Sequence, residues 1–158
     1  GTLVIINKYK KFFKMERSTF EKHSISISMA KLMIDLSENK AAEMGIRVVT
    51  VIVDECGQLK AFSRMDNAPL LSLNLAIDKA WSGSSFPRPT HKWYENIKDD
   101  PSSLISVPLI RGLTTSGGGY PLKINKSIVG GIGVSGGTTD EDMECAEYAI
   151  SFFEKSNL

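Results

Sequence analysis

The sequence predicts an α+β fold, in which a mostly antiparallel sheet packs against helices. Three observations predict it: helical apolar spacing near both ends of the chain, two pairs of β-branched segments joined by short turns, and a further helical stretch between those pairs. Strands joined by short turns are antiparallel, and such a sheet with covering helices is typical of the α+β class. The chain has 158 residues without a repeat or a long linker, so one domain is expected.

The first helix is predicted from about Ile25 to Glu43, where apolar residues recur at spacings near three and four. Ser24 or Ser26 is suited to cap its start, because a serine hydroxyl accepts a free backbone N–H there. Gly45 is a natural C-terminal stop, because glycine adopts the left-handed conformation that ends many helices.

Two β-hairpins are predicted from pairs of apolar or alternating segments joined by short turns. Val48–Val53 and Leu59–Arg64 are apolar or alternating segments on either side of the turn "ECGQ", and they predict the first hairpin. The segments "PLKI" and "IVGGIGVS" flank a turn of the Asn-x kind and predict the second. The apolar segment Leu104–Leu109 contains a proline, which indicates an edge strand or an extended piece.

Three further helices complete the pattern. Leu70–Trp81 is predicted to be helical until "FPRPT" ends it, because proline cannot continue a helix. His91–Asp99 is expected to form a short polar helix. The last helix is predicted over "GTTDEDMECAEYAISFFEK", and Thr138 with Glu141 has the spacing of a capping box at its start.

Composition excludes several classes of function. The net charge is +1, with 42% apolar and 23% charged residues, so nucleic acid is not an expected partner. No apolar run approaches the ~18–20 residues of a membrane span. Cys56 and Cys145 are too few for a disulfide-built fold, which favours a reducing compartment, the cytoplasm. Residues 1–18 are interpreted as an N-terminal extension, and residues 19–158 as the domain.

The stretch Val129–Glu144 contains glycines at 131, 133 and 136, which match the letter pattern of a dinucleotide-binding turn. Only 22 residues follow Gly136, and the last helix uses nearly all of them. No second parallel strand can be built, so NAD binding is rejected. Gly131 and Gly133 instead fall inside the strand, which indicates close approach by a helix, another subunit or a flat ligand.

Several separated motifs resemble a known family. They are "VIVDECGQLKAFSRMDNAPLLSLNLAIDKAWSGSSFPRPT" and "GGGYPLKINKSIVGGIGVSGGTTDEDMECAEYA". The resemblance is to the GlcG/HbpS family of haem-binding-type domains, which also forms the C-terminal domain of PduO-type corrinoid adenosyltransferases. It covers about Ile25 to Ile150. It implies a profilin-like α+β fold with a five-stranded antiparallel sheet flanked by helices. It also implies homo-oligomers and, for some members, binding of haem or a related tetrapyrrole.

The chain departs from the family at three places. Asn67 stands where glycine is common, and Asn125-Lys126 stands where many members have Asp-Gly. Both changes are interpreted as turn variation. Ser82-Gly83 stands where many members have Thr-Ala, which changes the packing beside Lys79.

The polar residues shared with the family, together with Ser135, form the predicted ligand-binding set: Arg64, Asp66, Lys79, Thr90 and Ser135. Arg64 and Lys79 are suited to hold haem propionates or a small carboxylate. The structural alternatives are that Arg64 and Asp66 brace the turn, with Asp66 as a helix cap, and that Lys79 pairs with Asp54.

Haem requires an axial ligand such as His, Met, Cys or Tyr. His23 is the candidate, because the resemblance places a ligand histidine near the start of the domain. His91 is the other histidine, and Met29, Met33, Met65 and Cys56 are further ligand types. Ser135 lies in a Gly-x-Ser-x-Gly pattern, but both histidines precede it, which is the wrong order for an α/β-hydrolase. No metal-binding motif occurs, so a metal site is not predicted.

The sequence thus predicts a small-ligand-binding protein in a sensing or accessory role, with haem or a related tetrapyrrole as the ligand and copies of itself as partners. The alternative is an enzyme or enzyme accessory acting on a small glycolate-like or diol-derived metabolite. That alternative requires the five polar side chains to meet in one pocket.

Overall fold

The structure is a computed structural model that describes residues 19–157, so the predicted extension over residues 1–18 lies outside it. The elements are α1 (Ile27–Glu43), β1 (Val49–Asp54), β2 (Leu59–Arg64), α2 (Ser72–Ser85), a 3₁₀ turn (Thr90–Lys92), α3 (Trp93–Ile97), α4 (Pro101–Ser106), a second 3₁₀ turn (Val107–Leu109), β3 (Gly119–Ile124), β4 (Ser127–Ser135) and α5 (Thr139–Lys155). The prediction of helices around two hairpins is confirmed.

The strands form one sheet in the order β2-β1-β4-β3, and all of its pairings are antiparallel. This confirms the α+β class with an antiparallel sheet and removes the parallel sheet that a dinucleotide fold requires. The resemblance implied five strands, whereas the residues that the structure describes form four. The segment Leu104–Leu109, predicted as an edge strand or an extended piece, is instead the end of α4 and the 3₁₀ turn after it.

Local capping explains why this segment is helical. The side chain of Asp100 accepts the backbone N–H of Ser102, and Pro101 occupies the first helical position. Proline is well tolerated there because its missing N–H would have no partner in the helix. The prediction of an edge strand or an extended piece was wrong because it considered the apolar run alone and overlooked the helix start just before it.

The other helix ends follow the sequence more closely. Ser26 caps α1, Gly45 after its end has φ +75°, and Thr138 and Glu141 form the predicted capping box of α5. The cap predicted at Asp66 is wrong, because α2 begins at Ser72 without a side-chain cap. Within residues 19–157, no helix combines the length and the apolar character that crossing a membrane requires.

One face of the sheet carries large aliphatic side chains and packs against α1 and α5. Ile52, Leu122, Ile132 and Val134 contribute from the strands and are fully buried. Burial of such side chains stabilises the fold by about 1.5–3 kcal/mol each. This face therefore forms the main hydrophobic core.

On the opposite face, β1 carries the buried side chains Val49, Val51 and Val53, whereas β4 is bare at Gly131 and Gly133, and α2 lies directly on it. A Cβ atom added to Gly133 would stand 2.1 Å from the carbonyl oxygen of Ala76, and one on Gly131 would stand 2.4 Å from that of Ala80. No side chain fits at these distances, so glycine lets the helix backbone touch the strand. Of the three occupants considered for these glycines, the structure places a helix there.

Candidate functional site

His23 lies in a groove of about 570 Å³ between the start of α1, the β3–β4 turn and the end of α5. Its surface is mostly apolar, and the lining comprises His23, Ser24, Ile25, Ser26, Met29, Ile124, Asn125, Ser127, Val129, Phe153 and Asn157. The volume lies within the ~300–1,000 Å³ range of small-molecule sites. A mostly apolar wall with a few polar groups is also typical of such sites.

The groove brings together two side chains that can bind iron. His23 is exposed, and Met29 is half-buried on the first turn of α1. The cap Ser26 accepts the backbone N–H of Met29 at 3.2 Å, which fixes this turn beside the groove. Imidazole nitrogen and thioether sulfur are both axial ligands of haem iron in proteins.

A second cavity, of about 310 Å³, lies at the other end of α5. It is lined by Pro69, Leu71, Ser72, Leu75, Lys79, Ser116, Ser135, Gly136, Gly137, Thr139 and Asp142. Two members of the predicted ligand-binding set, Lys79 and Ser135, meet here. Both side chains are buried.

Lys79 forms a buried ion pair with Asp142 in this second cavity. Its Nζ donates to Oδ2 of Asp142 at 2.7 Å and to the carbonyl oxygen of Val134 at 2.8 Å, while Oδ1 of Asp142 accepts the N–H of Gly137. The suggested pairing of Lys79 with Asp54 is therefore wrong. Burial lowers the pKa of Lys79 and raises that of Asp142, and the ion pair opposes both shifts.

The two cavities cannot serve one ligand within a single chain. Thr139 lines one and Phe153 lines the other, and they lie 14 residues apart on α5. A rise of 1.5 Å per residue separates them by about 20 Å. His23 and Lys79 of one chain thus face different spaces.

The remaining predicted residues lie elsewhere and make local contacts. Arg64 is exposed and donates to the carbonyl oxygen of Ala68 at 3.2 Å, across a turn in which Asn67 has φ +65°. Asp66 is exposed in the same turn. Thr90 is buried, donates to the carbonyl oxygen of Ser116 at 2.6 Å and accepts the N–H of Gly119. The fold does not gather the five side chains in one pocket.

The departures from the family pattern now have a physical explanation. Asn67, Asn125 and Lys126 all have positive φ, the conformation that glycine adopts without strain. Ser82 accepts the N–H of Thr114 and donates to the carbonyl oxygen of Gly112, so it holds the loop before β3. A Cβ on Gly83 would stand 2.6 Å from the carbonyl oxygen of Tyr120, so α2 and β3 touch there.

His91 lies beside β3, with its ring centre 5.9 Å from that of Tyr120. Burial is the main cause that lowers the pKa of His91, and the charge of Lys92 adds to it. This histidine does not line the groove that contains His23. Met33 is fully buried in the main core, and Cys56 is exposed in the first hairpin turn.

The sequence did not indicate Asp142 or Phe153 as site residues. Asp142 was explained by the helix dipole, although its position four residues after the cap Thr138 also turns it toward Lys79. Phe153 belongs to the regular apolar spacing of α5, which gives no signal that one end of that stripe borders a groove. Both depend on contacts between distant parts of the chain.

Comparison with known proteins gives a consistent result. The family model described as "Haem degrading protein HbpS-like" matches residues 25–151. A 15.0 kDa protein from the dhaT–dhaS intergenic region of Citrobacter freundii is 31% identical over 134 residues, which are 84% of this chain and 94% of that protein. Corrinoid adenosyltransferase PduO of the same organism is 34% identical over 113 residues, 71% of this chain but 34% of that enzyme.

Solved structures agree with these relatives. Klebsiella pneumoniae protein ORFY superimposes with a TM-score of 0.82 at 30% identity, covering 89% of this chain and 97% of that one. A structure described as a PduOC:haem complex superimposes with a TM-score of 0.75 at 31% identity, covering 81% and 94%. Both TM-scores indicate that these proteins share the overall fold of this chain.

Proposed function

The chain belongs to the HbpS-like family, and on that premise we propose that it binds haem in the groove beside α1, with His23 as an axial ligand. One observation carries the proposal: an exposed histidine lines an apolar-walled groove of about 570 Å³. The haem complex of the related PduOC domain supports haem as the ligand.

The residues of the groove fit this group. Met29 and Ile124 are part-exposed in the lining and offer apolar surface to a flat macrocycle, and His23 offers a nitrogen to the iron. Met29 is the second ligand type within the same lining. Bound haem supplies an iron centre that takes axial ligands and changes oxidation state, and the axial ligand and the surrounding polarity tune that change.

The carboxylates of haem require cations or N–H donors at the rim. Lys126 adjoins Asn125 of the groove lining, and Lys22 precedes His23. Arg64 and Lys79 were predicted for this role, but Lys79 of the same chain faces the cavity at the far end of α5. A role for them toward the same haem then requires a neighbouring copy of the chain.

We further propose that residues 19–158 form one HbpS-like domain that assembles into homo-oligomers. Large apolar side chains stand on the surface at Leu70, Leu71, Ile105 and Leu109, each at least 72% exposed. Exposed apolar side chains at adjacent positions, as at Leu70 and Leu71, are candidates for contact with another copy of the chain. Native mass spectrometry of the purified protein measures the number of copies and any retained ligand together.

We propose a sensing or accessory role for this haem-binding chain. PduO contains a related segment in about a third of its length, so its whole activity does not follow from this likeness. The alternative metabolite-handling role requires the predicted polar set to act together. Of that set, only Lys79 and Ser135 line the same cavity, and Arg64, Asp66 and Thr90 are not part of its lining.

Titration with ferric haemin tests the haem proposal. We expect a saturable shift of the Soret band in the wild-type protein. His23→Ala is expected to change the position of that band and to weaken binding at least tenfold. His91→Ala is the matched control, because that histidine lies outside the groove. A wild-type spectrum equal to free haemin, or equal effects of the two substitutions, would refute the proposal.

A further inference from the structure

His23 borders two spaces and not only the proposed haem groove. A neighbouring cavity of about 360 Å³ is lined by Phe20, Glu21, Lys22, His23, Glu55, Ser127 and Ile128. His23 and Ser127 are common to both linings. An imidazole ring has two nitrogens on opposite edges, so one can face each space.

Glu55 provides the unexplained group in this neighbouring cavity. Its Oε2 atom is buried and has no hydrogen-bond partner among the residues that the structure describes. A glutamate carboxylate is ionised at neutral pH, and a buried acceptor without a donor is costly.

The first hairpin fixes the position of this carboxylate. Glu55 directly follows β1, and the side chain of Asp54 accepts the N–H groups of Cys56 and Gln58 at 2.9 Å each. Those bonds hold the backbone on both sides of the turn. Glu55 thus projects from a rigid element toward the segment that carries His23.

We propose that Glu55 is the positioning residue for His23: its free carboxylate oxygen accepts the N–H of the ring nitrogen that does not bind iron. Histidines that bind metals almost always donate their other N–H to a carboxylate, a carbonyl or water, which sets the tautomer and raises the basicity of the ligand. This inference rests on the proposed haem function and adds the group that orients its ligand.

The ionised partner has a directional effect on the iron. A negative charge that accepts the ring N–H makes the imidazole a stronger donor, which favours ferric over ferrous iron. Glu21 and Lys22 are the other charged residues in the lining, and both are exposed. Exposed charges are screened by water, so they are expected to influence His23 less.

Glu55→Gln tests the inference, because it keeps the shape of the side chain and removes the charge. We expect ferric haemin affinity to fall about tenfold, within the range for such partners. If ferrous affinity is unchanged, the midpoint potential rises by about 59 mV for that tenfold loss. Glu55→Asp is expected to lower the ferric haemin affinity and raise the midpoint potential by less than Glu55→Gln does. Glu21→Gln, which alters another carboxylate of the same cavity, is expected to change neither the affinity nor the potential.

The His23→Ala background separates this inference from the proposed function. There Glu55→Gln should have no further effect on affinity or potential, because the ring it orients is gone. The positioning role alone is overturned if Glu55→Gln changes affinity and potential equally with and without His23. It is also overturned if the Glu55→Gln and Glu21→Gln proteins have the same affinity and potential. Absence of haem binding by the wild-type protein overturns the function and this inference together. Circular dichroism verifies that each variant is folded.

Discussion

The cavities at the two ends of α5 differ in how their polar groups are satisfied. At the start of the helix, Lys79 and Asp142 are buried and bonded to each other and to the backbone. At the far end, His23 is exposed in an apolar-walled groove, and the nearby Glu55 has a buried oxygen without a partner. The charges at the start of the helix are bonded within the fold, whereas His23 and Glu55 at the far end have polar atoms available to bind a ligand or each other.

This difference distinguishes structural polar residues, which have partners within the chain, from candidate ligand-binding residues, which do not. Burying a charge is tolerated when a partner and hydrogen bonds offset its lost hydration. The Lys79–Asp142 pair meets that condition within the chain, so it requires no ligand. The histidine groove retains unused donors and acceptors, and we expect its substitutions to change binding while leaving stability within about 0.5 kcal/mol.

Lys79→Met is expected to have the largest effect on stability. It leaves the carboxylate of Asp142 buried without its cation, and breaking a buried pair in this way costs about 3–5 kcal/mol. Chemical denaturation of the variant and of the wild-type protein measures the free energy of unfolding. Haemin affinity of the fraction that remains folded should not change, because Lys79 faces the other cavity.

The double variant Lys79→Met with Asp142→Leu is the control for that interpretation. It removes both charges, and replacing a whole buried pair by apolar residues is often neutral. We expect it to recover more than half of the lost stability, although the N–H of Gly137 loses its acceptor. A double variant less stable than Lys79→Met would contradict the view that the stranded carboxylate causes the loss.

Gly133→Ala is expected to have an intermediate effect at the same end of the molecule. The added Cβ would stand 2.1 Å from the carbonyl oxygen of Ala76 and 2.4 Å from the N of Ala80, both backbone atoms of α2. The helix that carries Lys79 must then shift, and such overpacking costs about 1–3 kcal/mol. Thermal or urea unfolding measures the change.

Gly45→Ala is the control that measures the cost of a positive φ without any steric clash. A Cβ on Gly45 meets no atom within 4 Å, but this residue has φ +75°, which penalises alanine. We expect a loss of about 1 kcal/mol from that conformational strain alone. If Gly133→Ala costs no more than Gly45→Ala, then close contact between α2 and β4 is not what requires glycine at position 133.

Sequence reasoning succeeded where the determinants are local. The caps Ser26 and Thr138 and the two hairpins follow from residues within a few positions of one another. The apolar run Leu104–Leu109 misled because its helix start lies outside the run itself, at Asp100 and Pro101.

The candidate site was less accessible to sequence because its contacts are distant along the chain. Lys79 lies 63 residues from Asp142, and its pairing depends on α2 lying across bare glycines of β4. The close approach at Gly131 and Gly133 was predictable, but the identity of the partner was not. His23 as a haem ligand stays a prediction that only titration tests.

Lys126→Gly, beside the groove, is expected to have the smallest effect and the opposite sign. The turn between β3 and β4 consists of Asn125 with φ +49° and Lys126 with φ +71°, a type I′ turn that favours glycine at its second position. Lysine is strained there, so glycine should stabilise the protein by roughly 0.5–1 kcal/mol. Thermal unfolding should shift upward by about 2–4 °C per kcal/mol.

Asn125→Gly is the matched control in the same turn. Asparagine tolerates positive φ better than lysine, so this substitution should change the melting temperature less. Haemin titration of both variants adds a second readout, because Asn125 lines the groove and Lys126 adjoins it. If Lys126 binds a haem carboxylate, Lys126→Gly raises the melting temperature of the free protein and weakens haemin binding. If Lys126→Gly is more stable and its haemin affinity is unchanged, Lys126 has no role in haem binding.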